Sequence, residues 1–281
     1  MSETKTTKTT VIHHSADYDG LFCREIARKF LPEAELVGWD FKDPPLAIPP
    51  AGPIYILDLP VDRVFGLCFA GLSTAAEASA VCQPLIKRVT WIDHHKSSIE
   101  SHPPQFAGYR IDGVAACRLC WAWFNRAPRD TGGVTPWGAP INDGTEPLPT
   151  KADFVARLVT EPLAVRLAGE YDVWDKRDPN AEVFQFGLRS RELSESDWAL
   201  LLESVAVSIA SDELVLDLLN NGEMLQRYQQ RNDASTMRRS FVVKFEGLQF
   251  LALNTPRCNS LTFAAKDAPE TGHDALLGFY F

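Results

Sequence analysis

The chain has 281 residues, of which 45% are hydrophobic and 10% aromatic, so it can bury a sizeable core and carry a second, smaller unit. Its 28 Lys and Arg residues against 37 Asp and Glu residues give a formal net charge of −9, which argues against a surface that grips long nucleic acid. A nucleic-acid substrate would therefore be short.

The cysteines and the N-terminus indicate the compartment. Of the six cysteines, the only close pair, Cys117 and Cys120, lies in an apolar run, so we expect two buried helical thiols rather than a zinc site or a redox pair. Residues 1–10 are polar and rich in Thr and Lys, unlike a signal peptide, and no apolar stretch reaches the length of a membrane span. We therefore expect reduced thiols, a cytoplasmic location and no membrane partner.

The first ninety residues or so alternate between strand and helix patterns. Helical spacing of apolar residues at 21–30, ended by Pro32, predicts one helix, and an Ala-rich stretch at 75–87 predicts another. Strands are predicted where short apolar runs occur, at residues 11–12, 34–39, 54–57 and 89–92. Strands that alternate with helices indicate a parallel α/β sheet.

The remainder of the chain is predicted to be helical and then to form a small sheet. Helices are predicted at 115–124 and 154–168, the latter continuing through Pro162, and the Pro- and Gly-rich residues 125–150 between them predict a surface excursion, either a lid or an insertion. A hairpin at 241–253 and a last strand at 275–281 follow. We expect a first domain at 1–200, a helical connector at 201–239 and a small α/β domain at 240–281.

Three predicted strands end in carboxylate and imidazole side chains. The carboxyl ends of parallel strands share one crevice, so these residues should meet there. Each cluster alone could be a turn, a helix cap or a packed histidine, and their coincidence is what indicates a functional site. The clusters are His13-His14-Ser15-Ala16-Asp17-Tyr18-Asp19-Gly20, Asp58, and Asp93-His94-His95.

This donor set favours hard divalent cations. Carboxylates and imidazoles without cysteine suit manganese, magnesium or iron better than structural zinc, and manganese is our first choice. Four ionised carboxylates would balance two divalent ions: Asp17, Asp19, Asp58 and Asp172. Two such ions can activate a bridging water and hold phosphate oxygens, so the pattern predicts phosphoester hydrolysis.

The motifs resemble those of the DHH phosphoesterase superfamily over roughly residues 10–190. Strand-His-x-x-x-Asp-x-Asp-Gly, a strand ending in Asp58, and Asp93-His94-His95 are similar to its first three motifs. Tyr171-Asp172-Val173-Trp174 resembles the fourth, as written in nanoRNase-type oligoribonucleases. The resemblance implies a parallel-sheet DHH domain with helices on both faces, linked by a helix to a smaller α/β C-terminal domain. That domain would be shortened, because its usual Gly-Gly-Gly-His motif is absent from this sequence.

The resemblance also implies a ligand set for two ions, with Asp58 bridging them. By motif position, one ion would be held by His13, Asp17 and Asp58, and the other by Asp19, Asp58, His94 and Asp172. The alternative to His13 is His14, because strand alternation places the two on opposite faces; the usual motif spacing favours His13.

Five further residues receive roles from the same resemblance. His95 would face the substrate phosphate, and Asp93 would orient the neighbouring histidines. Arg257 could grip a phosphate from the second lobe, beside Asn259 and Ser260, although a surface arginine next to a helix cap fits the pattern equally well.

The leading hypothesis is a manganese-dependent phosphodiesterase of the exonuclease type. It would hydrolyse short oligonucleotides or dinucleotides to mononucleotides by two-metal activation of a bridging water. The same metals would serve a phosphatase acting on pyrophosphate, polyphosphate or a nucleoside bisphosphate, and an inactive nucleotide- or partner-binding domain is a third alternative. Trp137 and Trp174 could stack a base. The sequence leaves the oligomeric state open, a homodimer included.

Overall fold

The chain divides into two units. In this computed structural model, the first unit comprises Met1–Gln185 and Glu192–Leu216, and the second comprises Phe186–Arg191 and Asp217–Phe281. Within the described residues, no helix is both long and apolar enough to cross a membrane. The structure describes residues 8–67, 80, 83, 85–101, 106–125, 150–156, 160–175, 177–203, 213–256, 258, 260–264 and 272–280.

A four-stranded parallel sheet forms the centre of the first unit. Its strands are β1 (Thr10–His14), β2 (Glu35–Trp39), β3 (Ile54–Leu57) and β4 (Val89–Ile92), in the order β2-β1-β3-β4. All three neighbouring pairs are parallel, which confirms the predicted α/β class. The register pairs His14 with Trp39 and Leu57 with both His13 and Ile92, so the carboxyl ends of all four strands lie side by side.

Helices flank this sheet. Helix α1 packs on it through completely buried Phe22 and Ile26, and basic Arg28 and Lys29 stand in its last turn, where they favour the helix dipole. The helices that begin in the first unit are α1 (Tyr18–Phe30), α2 (Val61–Phe65), α3 (Lys96–Ser101), α4 (Ala116–Phe124), α5 (Lys151–Ala156), α6 (Leu163–Asp172), α7 (Asn180–Leu188), α8 (Glu195–Glu203) and α9 (Glu213–Met237). Both α7 and α9 run on into the second unit.

A segment after α3 braces β4 from outside the regular sheet. The N–H groups of Trp91 and Asp93 donate to the carbonyl oxygens of Ala107 and Tyr109. The guanidinium of Arg110 is buried, donates to the carbonyl oxygens of Phe106 and Trp91, and lies 5.1 Å from the centre of the Trp91 ring. Burial lowers the pKa of Arg110 to about 10. This bracing fixes the strand end that carries Asp93, and the sequence patterns did not indicate it.

Two helix predictions have different outcomes. The single helix predicted at 154–168 is wrong: residues 160–162 are not helical, and α6 starts only after Pro162, which lacks the N–H that a helix interior needs. The helix predicted at 115–124 is confirmed as α4, with Cys117 and Cys120 both buried. Most of the helix predicted at 75–87 lies outside the described residues, among which residues 80, 83, 85 and 86 are helical. Of the excursion at 125–150, only residues 125 and 150 are described.

The second unit contains a mixed three-stranded sheet. The predicted hairpin is confirmed as β5 (Phe241–Phe245) and β6 (Leu248–Asn254), antiparallel and joined by Glu246-Gly247. Strand β7 (Ala275–Phe279) pairs in parallel with β6, and α10 (Ser260–Phe263) lies between them in sequence. Met237, Leu251 and Leu253 form the core of this unit, with Phe263 packed against them.

Candidate metal centre

The end of β1 is shaped by a tight approach of α1. Asp17 caps α1, because its Oδ1 accepts the N–H of Gly20 at 3.0 Å. A side chain at position 20 would not fit, since a Cβ there would lie 2.2 Å from the carbonyl oxygen of His14. The Asp-x-Asp-Gly sequence therefore turns the chain sharply and leaves the other oxygen of Asp17 directed at His14, with Oδ2 at 2.8 Å from Nδ1.

Asp58 lies between two histidines at the end of β3. Its side chain is only 2% exposed; Oδ2 lies 3.3 Å from His14 Nδ1, and Oδ1 lies 3.3 Å from His94 Nε2. Its φ angle is 60°, in the left-handed region, while its N–H donates to the carbonyl oxygen of Ile92 at 2.9 Å. A non-glycine residue held in this conformation at a strand end is typical of a functional site.

Of the two neighbouring histidines, the structure brings His14 to this centre. His13 is buried, its Nδ1 lies 2.8 Å from the carbonyl oxygen of His14, and its ring faces Gly38. His14 contacts Asp17 and Asp58, and its Nε2 lies 3.6 Å from Asp40 Oδ1. His14, the alternative to His13, is therefore the histidine of β1 whose ring lies among these carboxylates. A ligand role for either histidine stays a prediction.

His94 is the centre of a second group. Its Nε2 lies 3.3 Å from Asp172 Oδ2, 3.3 Å from Asp58 Oδ1 and 3.6 Å from Asp19 Oδ2. Asp19 is completely enclosed, and its two oxygens accept the N–H groups of Ala116 and Cys117, both at 2.8 Å. The first turn of α4 thus holds the Asp19 carboxylate in place.

Asp93 supports the histidine pair that follows it. Its Oδ1 accepts the N–H groups of His94 at 2.7 Å and His95 at 3.1 Å, and it lies 2.7 Å from His95 Nδ1. This bond to Asp93, which outweighs desolvation by burial, raises the pKa of His95. The His95 side chain is 40% exposed and reaches within 3.9 Å of Asp58 Oδ1.

The carboxylates of the centre raise the pKa of two of its histidines. Burial alone would lower the pKa of His14, but its bonds to Asp17 and Asp58 raise that pKa to about 10. Burial likewise opposes protonation of His94, yet Asp58 and Asp19 raise its pKa to about 10. Without metal, these two imidazolium ions supply the positive charge that the carboxylates require.

Burial and neighbouring charges also shift the pKa values of the remaining acids and of His13. Burial raises the pKa of Asp172 to about 6 and that of Asp19 well above its usual range, in both cases with help from Asp58. Burial would also raise the pKa of Asp58, but its interactions with His14 and His94 outweigh it and hold that pKa low. Burial lowers the pKa of His13 to about 4, so this ring is neutral at pH 7.

The residues present fit divalent cations. Three overlapping groups each bring their ligand atoms within 4.8 Å of one another. Oδ1 of Asp58 is buried and has no partner with hydrogen-bond geometry within the described part of the chain, although His94 Nε2 lies 3.3 Å away, as expected of an oxygen that needs a further positive partner. The groups are His14, Asp17 and Asp58; Asp19, His94 and Asp172; and Asp58, His94 and His95.

The centre has a closed side and an open side. Asp58 and Asp19 form its floor, with side-chain exposures of 2% and 0%, whereas Asp17 is 41% exposed. His95 and Asp172 also face solvent in part. A substrate can therefore approach from the side of Asp17, His95 and Asp172.

One residue near the centre was not predicted from the sequence, and three predicted residues are not described by the structure. Asp40, which was not among the predicted site residues, lies beside the centre because its Oδ1 is near His14 Nε2. It directly follows β2, as Asp58 follows β3 and Asp93 follows β4, so its position after a strand could have pointed to it. Arg257 and Asn259 lie outside the described residues, as does the side chain of Ser260, so their substrate role stays a prediction.

Comparisons with known proteins give a structural likeness but no match by sequence. The chain matches no protein-family model and no curated protein sequence. Among solved structures it is similar to a crystal structure of the exonuclease RecJ bound to manganese, with 14% sequence identity and a TM-score of 0.41. The alignment covers 97% of this chain and 76% of that chain.

Proposed function

We propose that this chain is a metal-dependent phosphoesterase of the DHH superfamily that hydrolyses phosphodiester bonds of short oligonucleotides or dinucleotides to mononucleotides. Two divalent ions, manganese by preference and magnesium as a substitute, would bind at the centre. One would be held by His14, Asp17 and Asp58, and the other by Asp19, Asp58, His94 and Asp172. When bound, such ions supply Lewis-acid activation of water and neutralise charge on a phosphate.

The observation that carries the proposal is the position of Asp58. Its two oxygens each lie 3.3 Å from a different histidine, and each of those histidines has further carboxylates around it. A single buried carboxylate between two donor sets is an arrangement that can hold a pair of ions. Its burial and its left-handed backbone fix it there before any ion binds.

The chain's own residues would position the substrate and transfer protons. Since Nδ1 of His95 is engaged by Asp93, its Nε2 is the ring atom left to meet a substrate phosphate or a leaving oxygen. The bond to Asp93 favours the protonated ring, which suits both tasks. Asp93 is fully buried, so it holds this orientation without contacting the substrate itself.

The proposal is tested by incubating the chelated and manganese-reloaded protein with a panel of phosphate compounds. The panel holds a five-nucleotide RNA, a linear dinucleotide, cyclic dinucleotides, a nucleoside 3′,5′-bisphosphate and pyrophosphate, with products separated by chromatography. Asp58→Asn is the matched variant, because asparagine also tolerates the left-handed backbone. Asp217→Asn, at an exposed position of the second unit, is the control.

We expect mononucleotide release that needs manganese and that Asp58→Asn lowers by more than about 100-fold, above the usual loss for a residue outside the ligand shell. Asp217→Asn should match the wild type. Release of phosphate from pyrophosphate or the bisphosphate alone would replace the substrate and keep the metal chemistry. Activity that survives chelation, or that Asp58→Asn leaves intact, would refute the two-ion centre.

A further inference from the structure

Helix α6 ends in a backbone motif that normally uses glycine. The N–H of Trp174 donates to the carbonyl oxygen of Tyr171 at 3.1 Å, and the N–H of Asp175 donates to that of Glu170 at 3.0 Å. These two bonds form a Schellman motif, in which the residue after the cap adopts a left-handed conformation. That residue is Trp174, with a φ angle of 54°.

Tryptophan is an unfavourable residue at this position. Glycine lacks the Cβ that causes the steric conflict, whereas a bulky side chain in this region is strained. Only two other described non-glycine residues have a positive φ: Asp58, in the metal centre, and Glu246, in the hairpin turn. Since folding alone would favour glycine at 174, the indole has another reason to be there.

The indole is exposed and stacked on a neighbouring ring. Trp174 is 56% exposed, and its ring lies 5.9 Å from that of Tyr171 with an interplanar angle of 29°. Burial does not account for the tryptophan, because more than half of its surface remains in water. An exposed indole supported by a second, partly buried ring is the kind of surface on which a nucleobase stacks.

This aromatic pair flanks a residue of the metal centre. Tyr171 directly precedes Asp172 and Trp174 follows it by two, so their Cα atoms lie within about 8 Å of that of Asp172. Asp172 Oδ2 lies 3.3 Å from His94 Nε2, on the open side of the centre. Trp174 is therefore near enough along the chain for its ring to reach the sugar and base of a nucleotide whose phosphate is held at the centre.

We propose that Trp174, stacked on Tyr171, is the binding platform for a nucleobase of the substrate. The inference rests on the proposed function and narrows it: the substrate class is a nucleoside phosphate ester, not pyrophosphate or polyphosphate, which have no base to stack. The strain at position 174 is then a cost in stability that the protein bears for substrate recognition.

The test compares two ligands that share a sugar phosphate and differ in the base. Manganese-loaded protein is titrated with adenosine 5′-monophosphate and with ribose 5-phosphate by calorimetry. We expect the wild type to bind the first about 10-fold more tightly, at the low end of what stacking of one base contributes. Trp174→Gly should abolish this difference and leave affinity for ribose 5-phosphate unchanged, while Trp174→Phe should keep most of it.

Fold stability provides a second measurement in the same variants. Trp174→Gly should melt at the same temperature as the wild type or higher, because it removes the backbone strain. Trp174→Asn, which also tolerates this backbone, repeats the test if the glycine variant does not fold. Tyr228→Ala, at an exposed aromatic of the second unit, should change neither affinity.

The outcomes separate this inference from the proposed function. Equal binding of the two ligands by the wild type, or an unchanged preference in Trp174→Gly, would overturn the platform even if oligonucleotides are hydrolysed. Base-dependent binding that Trp174→Gly abolishes would support the platform, and the hydrolysis panel then decides separately whether the bound nucleotides are cleaved.

Discussion

His95 differs from the other histidines of the centre in its surroundings. His14 and His94 are enclosed by several carboxylates. His95 is 40% exposed and bound to Asp93, and it belongs neither to the group of His14, Asp17 and Asp58 nor to that of Asp19, His94 and Asp172. We therefore expect His95→Ala to lower kcat by about 100-fold or more, the usual effect of losing a proton-transfer group, with metal content nearly unchanged.

Steady-state kinetics and metal analysis by atomic emission check this prediction on one preparation. His273→Ala, at an exposed histidine of the second unit, is the control and should behave as the wild type. A fall in bound metal to the level of Asp58→Asn would mean that His95 is a ligand, through the group it forms with Asp58 and His94.

At the residue scale, the sequence predicted most of the side chains that the structure brings together, but it could not decide which face of β1 points towards them. Strand β1 continues through His14, which still pairs with Trp39, so alternation separates His13 from His14 without saying which one faces Asp58. Asp40 was overlooked because an acid after a strand is also an ordinary turn residue. It does serve the turn, since its N–H donates to Asp43 Oδ2.

Asp19 joins two helices as well as the metal centre. It belongs to α1, and both of its oxygens accept N–H groups from the first turn of α4, where Ala115 offers no capping side chain. We expect Asp19→Ala to lower the free energy of unfolding of the metal-free protein by about 1–3 kcal/mol, because two buried N–H groups lose their acceptor.

Asp172→Ala is the matched comparison, since Asp172 also faces His94 but caps no helix. Burial raises the pKa of Asp172 to about 6, so its charged form is not favoured by the metal-free fold. Its removal should weaken metal binding and leave unfolding by urea in a chelator almost unchanged. Equal stability of the two variants in the chelator would show that the N–H groups of Ala116 and Cys117 do not depend on the Asp19 carboxylate.

At the element scale, prediction from the sequence succeeded where the burial of one apolar run determines the element. The apolar runs of β3 and β4 are buried on the sheet, and their bounds match the prediction. The helix predicted at 154–168 failed because α5 and α6 both bury apolar side chains, so the periodicity continues across the break at Pro162. The segment that braces β4 depends on buried Arg110, which no hydrophobic pattern could indicate.

At the scale of the whole molecule, the sequence predicted a parallel sheet followed by a smaller sheet, and the structure has both. The strand order could not be read from it, because each short apolar run could pair with any other. The order β2-β1-β3-β4 matters for function, since it places β1 and β3 side by side and brings His14 to Asp58. The charges of His14 and of its carboxylate neighbours at the ends of β1 and β3 determine how the stability of the folded state depends on pH.

The metal-free protein should lose stability as the pH rises from about 6.5 to about 10. His14 and His94 have pKa values raised from 6.5 to about 10, so the folded state binds more protons than the unfolded state in this window. Their contribution is fully present below pH 6.5 and is lost as the pH rises through about 10. The raised pKa of Asp19 and of His95 acts in the same direction.

Bound metal should reverse this dependence, because ions displace the protons of His14 and His94 and bind more tightly as those protons become easier to remove. Urea midpoints between pH 6.5 and 9 should therefore fall in a chelator and stay level or rise with magnesium, which avoids oxidation of manganese at high pH. Burial lowers the pKa of His13 to about 4, so this residue affects stability only below pH 6.5. Its neutral ring favours the folded state above pH 6.5, and this contribution is lost as the pH falls to about 4. The prediction fails if the urea midpoint of the metal-free protein stays constant or increases as the pH rises above 6.5. His14 and His94 would then be neutral in the folded state, and the carboxylates around them would not attract the positive charge that two cations would supply.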